Sequence, residues 1–191
     1  MLTILIPAAG SATRMRGGDK LLELAHGQPM LRHQASLALQ ITPHVLITLR
    51  DPDPARQAVL QDLAVTLIPI ADAATGMSAS LRQASQIRTA LMILPADMPD
   101  LTLADLVALT AAQAQAPDTI LRAASADGAP GHPVILPAAL VPKLVDLQGD
   151  EGARSLLRKH EVRLLPLPGL HAITDLDTPE DWLAWRHGVQ T

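Results

Sequence analysis

The chain has 191 residues, 48% of them hydrophobic, and its 15 Lys and Arg against 19 Asp and Glu give a formal net charge of −4. It contains no Cys, which excludes disulfides, thiolate nucleophiles, iron–sulfur clusters and zinc–thiolate sites. Aromatic residues make up 1% and the cations are scattered, so neither the stacking platforms nor the basic patches of nucleic-acid-binding proteins are expected.

The apolar run at the start of the chain stops by residue 9, which is too short for a secretory signal or a membrane span. We therefore expect a cytoplasmic protein with no membrane and no nucleic acid among its partners. The length, with no linker, internal repeat or low-complexity tract, predicts a single domain covering residues 1–191.

The first part of the chain alternates predicted strands with predicted helices. Short apolar runs rich in β-branched residues predict the strands, and apolar positions at helical spacing predict the helices. The predicted strands cover 2–6, 44–49, 65–69 and 90–94, and the predicted helices cover 29–40, 55–63, 78–88 and 103–115. This alternation predicts an α/β fold with a mostly parallel twisted sheet and helices on both faces.

The elements become shorter in the second part of the chain. The predicted strands cover 120–124, 133–136 and 162–165, and the predicted helices cover 138–147, 151–160 and 178–187. Thr178, Pro179 and Asp181 have the pattern of a helix start with a capping box. Thr102 and Asp105 have the same capping spacing before the helix predicted at 103–115.

The stretch after the first strand has an unusual composition. Residues 7–20 read PAAGSATRMRGGDK, with small side chains, three Gly and three cations. Small residues let the backbone approach a ligand, and exposed N–H groups with Arg14 and Lys20 can hold phosphate oxygens. The spacing fits neither a Walker A motif nor a Gly-x-Gly-x-x-Gly fingerprint. Two interpretations stay open: a polyphosphate-binding loop, or a solvated connection from strand to helix.

Acidic side chains follow two of the later elements. Asp97 comes directly after the strand predicted at 90–94, where ligands bind in open α/β sheets, and a carboxylate there suits Mg²⁺. The alternative is that Asp97 begins a turn with Pro99. Asp175 and Asp177 are not needed by the capping box that follows them, and on extended backbone both point to one side, where they can complete a metal site with Asp97.

Residues 5–22 read LIPAAGSATRMRGGDKLL. This segment resembles the signature of the nucleotidyltransferases that attach a nucleotide to molybdopterin, roughly Leu-Ala-(Ala/Gly)-Gly-x-Ser-x-Arg-Met-Gly-x-x-Lys. The Ala8-Ala9-Gly10 form is similar to the cytidylyl-transferring branch. Pro7 and Thr13 depart from the pattern, but neither departure removes a charge.

Further motifs of the same family follow in order along the chain, namely GMSASL at 76–81, ADMP at 96–99, PGHP at 130–133, GDEGAR at 149–154 and TDLDTPED at 174–181. The resemblance implies Mg²⁺, with Mn²⁺ as the alternative, held by Asp97 and by Asp175 in preference to Asp177. It implies Arg14, Lys20 and Asp97 as catalytic residues. The implied nucleotide-binding residues are Ala8, Ala9, Gly10, Ser11, Arg14, Lys20, Gly76, Met77 and Ser78, and the implied acceptor-binding residues are His132, Arg154 and Asp177.

For three of these stretches the residues alone also allow a structural interpretation. Ser78 has the character of a helix N-cap, and residues 149–154 that of a helix N-terminus with acids at its favourable end. A lone His such as His132 is commonly structural or merely exposed.

The resemblance implies a Rossmann-like fold of the nucleotide-diphospho-sugar transferase type and a defined reaction. An NTP, with CTP preferred and GTP as the alternative, is joined to the phosphate of molybdenum-bearing molybdopterin, and pyrophosphate is released. A molybdoenzyme or its maturation factor is the implied recipient. Two rival hypotheses stay open: transfer to a sugar or polyol phosphate, and a non-catalytic carrier of the molybdenum cofactor.

Overall fold

A computed structural model describes residues 1–72, 76–149 and 152–188. Asp150 and Glu151 of the motif at 149–154, the second of which begins the helix predicted at 151–160, lie outside the described residues. The strands are β1 (Leu2–Pro7), β2 (Leu24–Ala25), β3 (Gln28–Pro29), β4 (Val45–Arg50), β5 (Thr66–Ile70), β6 (Ala90–Ile93), β7 (Ile120–Ala124), β8 (Pro130–Leu136) and β9 (Val162–Pro166). The α-helices are α1 (Met30–Ile41), α2 (Pro54–Ala58), α3 (Met77–Gln83), α4 (Leu103–Gln115), α5 (Arg154–Leu157) and α6 (Pro179–Arg186), and 3₁₀ turns cover Thr13–Met15, Ala84–Gln86 and Val141–Asp146.

Seven strands form one sheet in the order β5-β4-β1-β6-β8-β7-β9. Strand β1 pairs in parallel with β4 and β6, and β4 pairs in parallel with β5. Strand β8 is antiparallel to both of its neighbours, β6 and β7, whereas β7 and β9 are parallel. The predicted mostly parallel sheet is therefore confirmed, and the carboxyl ends of β1, β4, β5 and β6 meet at one edge.

Apolar side chains fill both faces of this sheet, as alternation along a buried strand requires. In β1, Ile4 and Ile6 point to one core, which α1 and α4 cover through residues such as Leu31 and Leu106. Leu5 points to the other face, where α3, α5 and the 3₁₀ turn Val141–Asp146 supply the opposing side chains. The predicted placement of helices on both faces is confirmed.

Four predicted helices are shorter or tighter than expected: the helix predicted at 78–88 ends at Gln83, the one predicted at 151–160 covers only Arg154–Leu157, and the other two have a local cause. The helix predicted at 138–147 is the 3₁₀ turn Val141–Asp146, because Pro142 has no N–H to donate to the carbonyl of residue 138 and an α-helix cannot run through it. The helix predicted at 55–63 ends at Ala58, and the chain continues in i, i+3 turns such as the bond from the Leu60 amide to the Gln57 carbonyl.

Local turn and cap chemistry explains three further features. The predicted capping boxes at Thr102 and Thr178 are both present and start α4 and α6. The small hairpin β2–β3 was not predicted, and its turn residues His26 and Gly27 both have positive φ, as a two-residue type I′ turn requires. Within the described residues, no helix is long and apolar enough to cross a membrane.

Candidate functional site

The loop after β1 is held from beneath by Arg56 of α2, a side chain that is only 1% exposed. Its Nη1 donates to the carbonyl oxygens of Ala8 at 2.5 Å and Gly10 at 3.0 Å. Its Nε and Nη2 donate to the two carboxylate oxygens of Asp19, at 2.8 and 2.9 Å. The planar guanidinium thus ties the start of the loop to its end. Sequence reasoning missed Arg56, since nothing in the local sequence of a short helix marks it.

This anchoring sets the direction of the loop's peptide groups. The carbonyls of Ala8 and Gly10 point to Arg56, and in a trans peptide the following N–H points the opposite way. The amides of Ala9 and Ser11 therefore point away from Arg56, and neither donates to another described residue. Ala8 and Ala9 are buried, whereas Gly10 and Ser11 are exposed. Outward amides on small residues form the kind of concavity that binds anions.

Lys20 ends the loop between two carboxylates. Its Nζ donates to Asp97 Oδ2 at 2.5 Å and to Asp177 Oδ1 at 2.6 Å. Burial lowers the pKa of Lys20, but the two carboxylates outweigh it, so the net pKa lies above the ordinary value and the amine is charged. Arg14 pairs with the other oxygen of Asp177 at 2.5 Å and is largely exposed. The structure therefore brings four of the predicted site residues together.

Backbone and apolar contacts hold the last acidic segment against the middle of the chain. The Leu176 amide donates to the Asp97 carbonyl at 3.3 Å, which joins the two predicted ligand segments directly. Leu176 also packs with Trp182 of α6, Met15 of the loop and Met30 of α1 in a small buried cluster. Packing of α6 on the underside of the loop thus places residues 175–177 at the carboxyl edge of the sheet.

Asp175 is the carboxylate of this group that lacks a cationic partner. No other side chain among the described residues donates a hydrogen bond to it, whereas Asp97 and Asp177 both receive Lys20. Burial is the largest cause that raises the pKa of Asp175. The negative charges of Asp177 and Asp97 raise it further, and the positive charge of Lys20 offsets part of the rise. An all-oxygen donor set with excess negative charge suits a hard divalent cation.

No three His, Asp or Glu side chains within 1–72, 76–149 and 152–188 form a ready-made metal site. The ammonium of Lys20 gives the physical reason, because it already binds two of the three carboxylates. The donor chemistry fits Mg²⁺ or Mn²⁺, and the ligand assignment of Asp97 and Asp175 stays a prediction.

The predicted nucleotide-binding segment at 76–78 begins α3. Gly76 is the residue before the helix, with φ of 91°, and Met77 is exposed. Ser78 is fully buried inside the helix, so it is not the N-cap that its residue type suggested. Its amide donates to the Gly149 carbonyl at 3.2 Å, and its hydroxyl accepts from Arg82. Contact of this segment with a nucleotide stays a prediction, with Gly76 and Met77 as its accessible part.

His132 and Arg154, two of the three predicted acceptor-binding residues, face the same cleft as the third, Asp177. The backbone N–H of His132 donates to the Ala172 carbonyl at 2.8 Å, and its buried Nδ1 has no hydrogen-bond partner among the described residues. Burial is the largest cause that lowers the pKa of His132, to about 4. The positive charges of Arg122 and Arg154 also lower this pKa, and the negative charge of Asp97 offsets part of the change. The imidazole is therefore neutral near pH 7. Arg122 on β7 is a second residue that sequence reasoning missed.

These side chains line one cleft of about 510 Å³ at the carboxyl edge of the sheet. Its polar lining residues include Arg14, Lys20, Asp97, Arg122, His132, Arg154, Asp175 and Asp177. A separate cavity of about 480 Å³ lies on the other side of the segment 173–176, against Trp185. The cleft that holds the predicted residues is the one with the charge pattern a phosphorylated ligand needs.

A mostly parallel α/β sheet brings a small-residue loop, a lysine and three carboxylates to one edge, an arrangement suited to a nucleotidyltransferase. Residues 4–164 match the family described as "MobA-like NTP transferase domain". The chain belongs to this family, which confirms the family predicted from residues 5–22.

Individual relatives agree with this assignment. The chain is 39% identical over 140 residues to the molybdenum cofactor guanylyltransferase of Bradyrhizobium sp. (strain ORS 278). The match covers 69% of this chain and 63% of that relative, so the chain spans only part of the relative's length.

Solved structures show the same fold at low sequence identity. Rv0371c from Mycobacterium tuberculosis H37Rv has a TM-score of 0.81 at 24% identity, covering 100% of this chain and 98% of that one. Its complex with manganese has a TM-score of 0.73 at 23% identity, covering 95% of each chain. A nucleotidyl transferase from Methanothermobacter (Mth528) has a TM-score of 0.78 at 19% identity, covering 99% of this chain and 97% of that one.

Proposed function

We propose that this protein transfers a nucleotide from an NTP to the phosphate of a molybdopterin-type acceptor, with release of pyrophosphate, as a step of molybdenum cofactor maturation. Family membership and the name of the curated relative support the reaction class. The observation that carries the proposal is the position of Lys20, at the end of the loop and within 2.6 Å of carboxylates from the middle and the end of the chain.

The reaction needs positioning and charge neutralisation more than proton transfer. A phosphate oxygen of the acceptor attacks the α-phosphorus of the NTP, the new P–O bond forms, and the bond to the β-phosphate breaks to release pyrophosphate. An ionised phosphate is already nucleophilic near pH 7, so no general base is required. The outward amides of Ala9 and Ser11, with Arg14 and Lys20, are suited to stabilise the charge that develops on the leaving group.

Asp97 and Asp175 would hold a divalent cation beside these phosphates. Such an ion supplies positive charge to the triphosphate when it is bound. Asp177 fits a different task, because it holds both Lys20 and Arg14 and so fixes the two predicted catalytic cations. Metal dependence with Mg²⁺ or Mn²⁺ is part of the proposal.

The proposal also concerns which nucleotide, CTP or GTP, is the donor. The Ala8-Ala9-Gly10 form favours CTP, whereas the curated relative is a guanylyltransferase. Gly76 and Met77 at the start of α3 are the accessible residues of the predicted base-binding segment, and His132 and Arg154 are the proposed acceptor contacts. The recipient molybdoenzyme and the cytoplasmic location stay predictions.

Pyrophosphate release tests the function directly. The protein is incubated with Mg²⁺ and each of CTP and GTP, with molybdopterin bearing molybdenum or with a panel of sugar and polyol phosphates. We expect release only with the molybdopterin acceptor, and faster with CTP. Release with a sugar or polyol phosphate instead would replace the acceptor class. Tight nucleotide binding without pyrophosphate under any condition would support the carrier hypothesis and reject the enzyme.

A further inference from the structure

The segment 97–100, in the connection from β6 to α4, is hydrogen-bonded at each of its four positions by a different part of the chain. In order, the donors are the Leu176 amide, Gln34 Nε2 of α1, His26 Nε2 of the β2–β3 turn and Trp185 Nε1 of α6. The first three act on backbone carbonyls, and the fourth acts on the carboxylate of Asp100. The path of the chain directly after Asp97 is therefore fixed by tertiary contacts.

Gln34 is a polar side chain on the otherwise apolar buried face of α1. It is 0% exposed, and its Nε2 donates to the Met98 carbonyl at 2.6 Å. Its Oε1 is buried with no hydrogen-bond partner among the described residues, which costs stability. A Met side chain would fill a similar volume without this cost, so the bond to Met98 is what the amide adds to the protein.

His26 reaches the same segment from the exposed turn of the β2–β3 hairpin. Its Nε2 lies 2.9 Å from the Pro99 carbonyl oxygen, and a carbonyl can only accept, so this nitrogen carries a proton. The imidazole packs against the rings of His33 and Trp185, with centroids at 4.7 and 5.4 Å. These contacts fix the orientation of the ring and hence of the hydrogen bond to Pro99.

These bonds matter for Asp97 because its carboxylate has a single side-chain partner among the described residues, Lys20. Lys20 also binds Asp177, and it is the cation proposed to act on the nucleotide phosphates. A group that the ligand draws on cannot be the lasting restraint on Asp97. Neither Gln34 nor His26 lines the cleft, so their bonds to the backbone remain when a ligand fills it.

We infer that His26 and Gln34 are positioning residues for Asp97. By holding the carbonyls of Met98 and Pro99, they keep the Asp97 carboxylate in the direction needed to bind a divalent cation. Groups that orient a metal-binding side chain from outside the site typically change its metal affinity by about 10–100-fold. The inference rests on the proposed function for the role of Asp97 as a metal ligand.

Titration of the full chain with Mn²⁺ alone tests the inference, with the free ion followed by its electron paramagnetic resonance signal. His26→Phe keeps an aromatic ring against His33 and Trp185 and removes the donor to Pro99. We expect its Kd for Mn²⁺ to rise about tenfold or more. His26→Gln has the same positive φ to adopt but retains an N–H donor at a similar reach, so it should keep most of the affinity.

His33→Phe is the matched control, because His33 packs on His26 but its ring nitrogen bonds to Gln28 and not to the segment 97–100. Its Kd for Mn²⁺ should equal the wild-type value, whatever urea denaturation shows for its stability. Wild-type affinity in His26→Phe would overturn the inference. Equal weakening in His33→Phe would do the same, because loosening of the hairpin would then be the cause. Absence of Mn²⁺ binding by the wild-type protein would also overturn it.

A second pair of variants tests whether the effect passes through Asp97. Against the residual Mn²⁺ affinity of Asp97→Asn, adding His26→Phe should cause no further loss, since the carboxylate that it orients is gone. A further loss of the same size would show that His26 acts on another group and would overturn the assignment. Gln34→Met should weaken Mn²⁺ binding about tenfold as well, and wild-type affinity in that variant would remove Gln34. If this buried variant does not fold, His26→Phe decides the question.

Turnover experiments separate this inference from the proposed function. If pyrophosphate is released, His26→Phe should raise the Mg²⁺ concentration for half-maximal rate about tenfold and leave the KM for the acceptor unchanged. An unchanged Mg²⁺ dependence would reject the positioning role and leave the enzyme intact. If no pyrophosphate forms under any condition but Mn²⁺ affinity depends on His26, the enzyme is rejected and the positioning role stands.

Discussion

Lys20 places its ammonium between carboxylates from two distant parts of the chain, at 2.5 Å from Asp97 and 2.6 Å from Asp177. The same group lies at the end of the loop whose Ala9 and Ser11 amides point away from Arg56. Replacement by Met removes the charge and keeps the length of the side chain. We expect Lys20→Met to lower kcat by a factor on the order of 10² or more, because a preorganised charge in the transition state is lost.

Lys159→Met is the matched control for this variant. Lys159 is exposed in the turn after α5, outside the cleft, and its loss should leave turnover unchanged. Steady-state kinetics with pyrophosphate detection measures both variants. Wild-type kcat in Lys20→Met would remove the assigned role of this lysine.

Gly131 packs so closely against the backbone of Ala172 that a larger residue should lower the free energy of unfolding. A Cβ at this position would come within 1.9 Å of the Ala172 carbonyl oxygen, the same carbonyl that accepts from the His132 amide. We expect Gly131→Ala to destabilise the protein at or above the upper end of about 1–3 kcal/mol, since backbone must move to admit the methyl group. Urea denaturation measures the change.

Gly10→Ala serves as the steric control for that measurement. A Cβ at Gly10 meets no atom within 4 Å, and its φ is not positive. Its free energy of unfolding should stay within about 0.5 kcal/mol of wild type, as for other unconstrained surface changes. Equal destabilisation in both variants would show that the contact with Ala172 is not the cause.

Sequence and structure agree best for residues whose role is local or carried by a motif. Lys20, Asp97 and Asp175 could be picked out because each follows a recognisable strand or loop pattern, and the structure places all three in one cleft. Arg56 and Arg122 could not be picked out from the sequence. Arg56 lies in a short helix and binds backbone carbonyls 46–48 residues away, whereas Arg122 lies in a strand and binds carbonyls 8–9 residues away.

At the scale of elements, the main structural contribution of α2 is to position the side chain of Arg56. Asp53 caps the helix and places Arg56 under the loop, where it binds Asp19 through both carboxylate oxygens. Arg56→Met leaves that carboxylate without its partner and frees the carbonyls of Ala8 and Gly10. We expect a loss of about 3–5 kcal/mol in the free energy of unfolding, as when one member of a buried ion pair is removed.

Arg32→Met is the matched control, because Arg32 forms an equally bidentate pair with Asp62 at the exposed surface. Its loss should cost less than about 1 kcal/mol. Urea denaturation of both variants makes the comparison. A similar small loss in both would mean that Arg56 does not hold the loop. NTP affinity should fall in Arg56→Met and stay at the wild-type value in Arg32→Met.

Elements with a clear period were predictable, and elements set by tertiary contacts were not. The strand at 2–6 and the helix at 103–115 match β1 and α4 closely, since their apolar patterns continue for their whole length. The hairpin β2–β3 has only two residues on each side, too short for a period to be visible. In the helix predicted at 78–88, residues near the end instead form the 3₁₀ turn Ala84–Gln86, whose Ala84 packs in the core on the Leu5 face of the sheet.

For the whole molecule, the burial of His132 predicts how stability changes with pH. In the unfolded chain this His takes up a proton as the pH falls below its ordinary value of 6.5, but in the folded protein its pKa is about 4. The unfolded state therefore binds more protons between these values, and stability falls as the pH falls from 6.5 to 4. At about 1.4 kcal/mol per unit of pKa, the effect is roughly 3 kcal/mol.

His132→Gln should flatten this part of the stability curve, because no proton uptake remains at that position. The pKa of His33 is also lowered, by burial and by His26, so a smaller slope should persist. His44→Gln, at an exposed position, is the control and should keep the wild-type curve. Chemical denaturation at several pH values between 4 and 7 measures the three proteins. An unchanged slope in His132→Gln would show that folding does not lower the pKa of this imidazole.

The overall sheet could be predicted from the alternation of strand and helix, but the position of β8 between β6 and β7 could not. The connection at 125–129 is short, so it makes β8 antiparallel to β7, but nothing in the local sequence shows that β8 also pairs with β6. The antiparallel placement brings Gly131 and His132 next to Arg122, so the cationic side of the cleft is a product of topology.

The anchor beneath the N-terminal loop has a consequence for redesign of the protein. Arg56 grips positions 8 and 10 through carbonyl oxygens that every amino acid possesses, and its only side-chain partner there is Asp19. The contacts of the Arg56 guanidinium with these carbonyls therefore do not depend on which side chains the loop carries at positions 8 and 10. Side chains there can therefore be exchanged, for example to test the proposed role of the loop, while the contacts of Arg56 with the backbone stay the same.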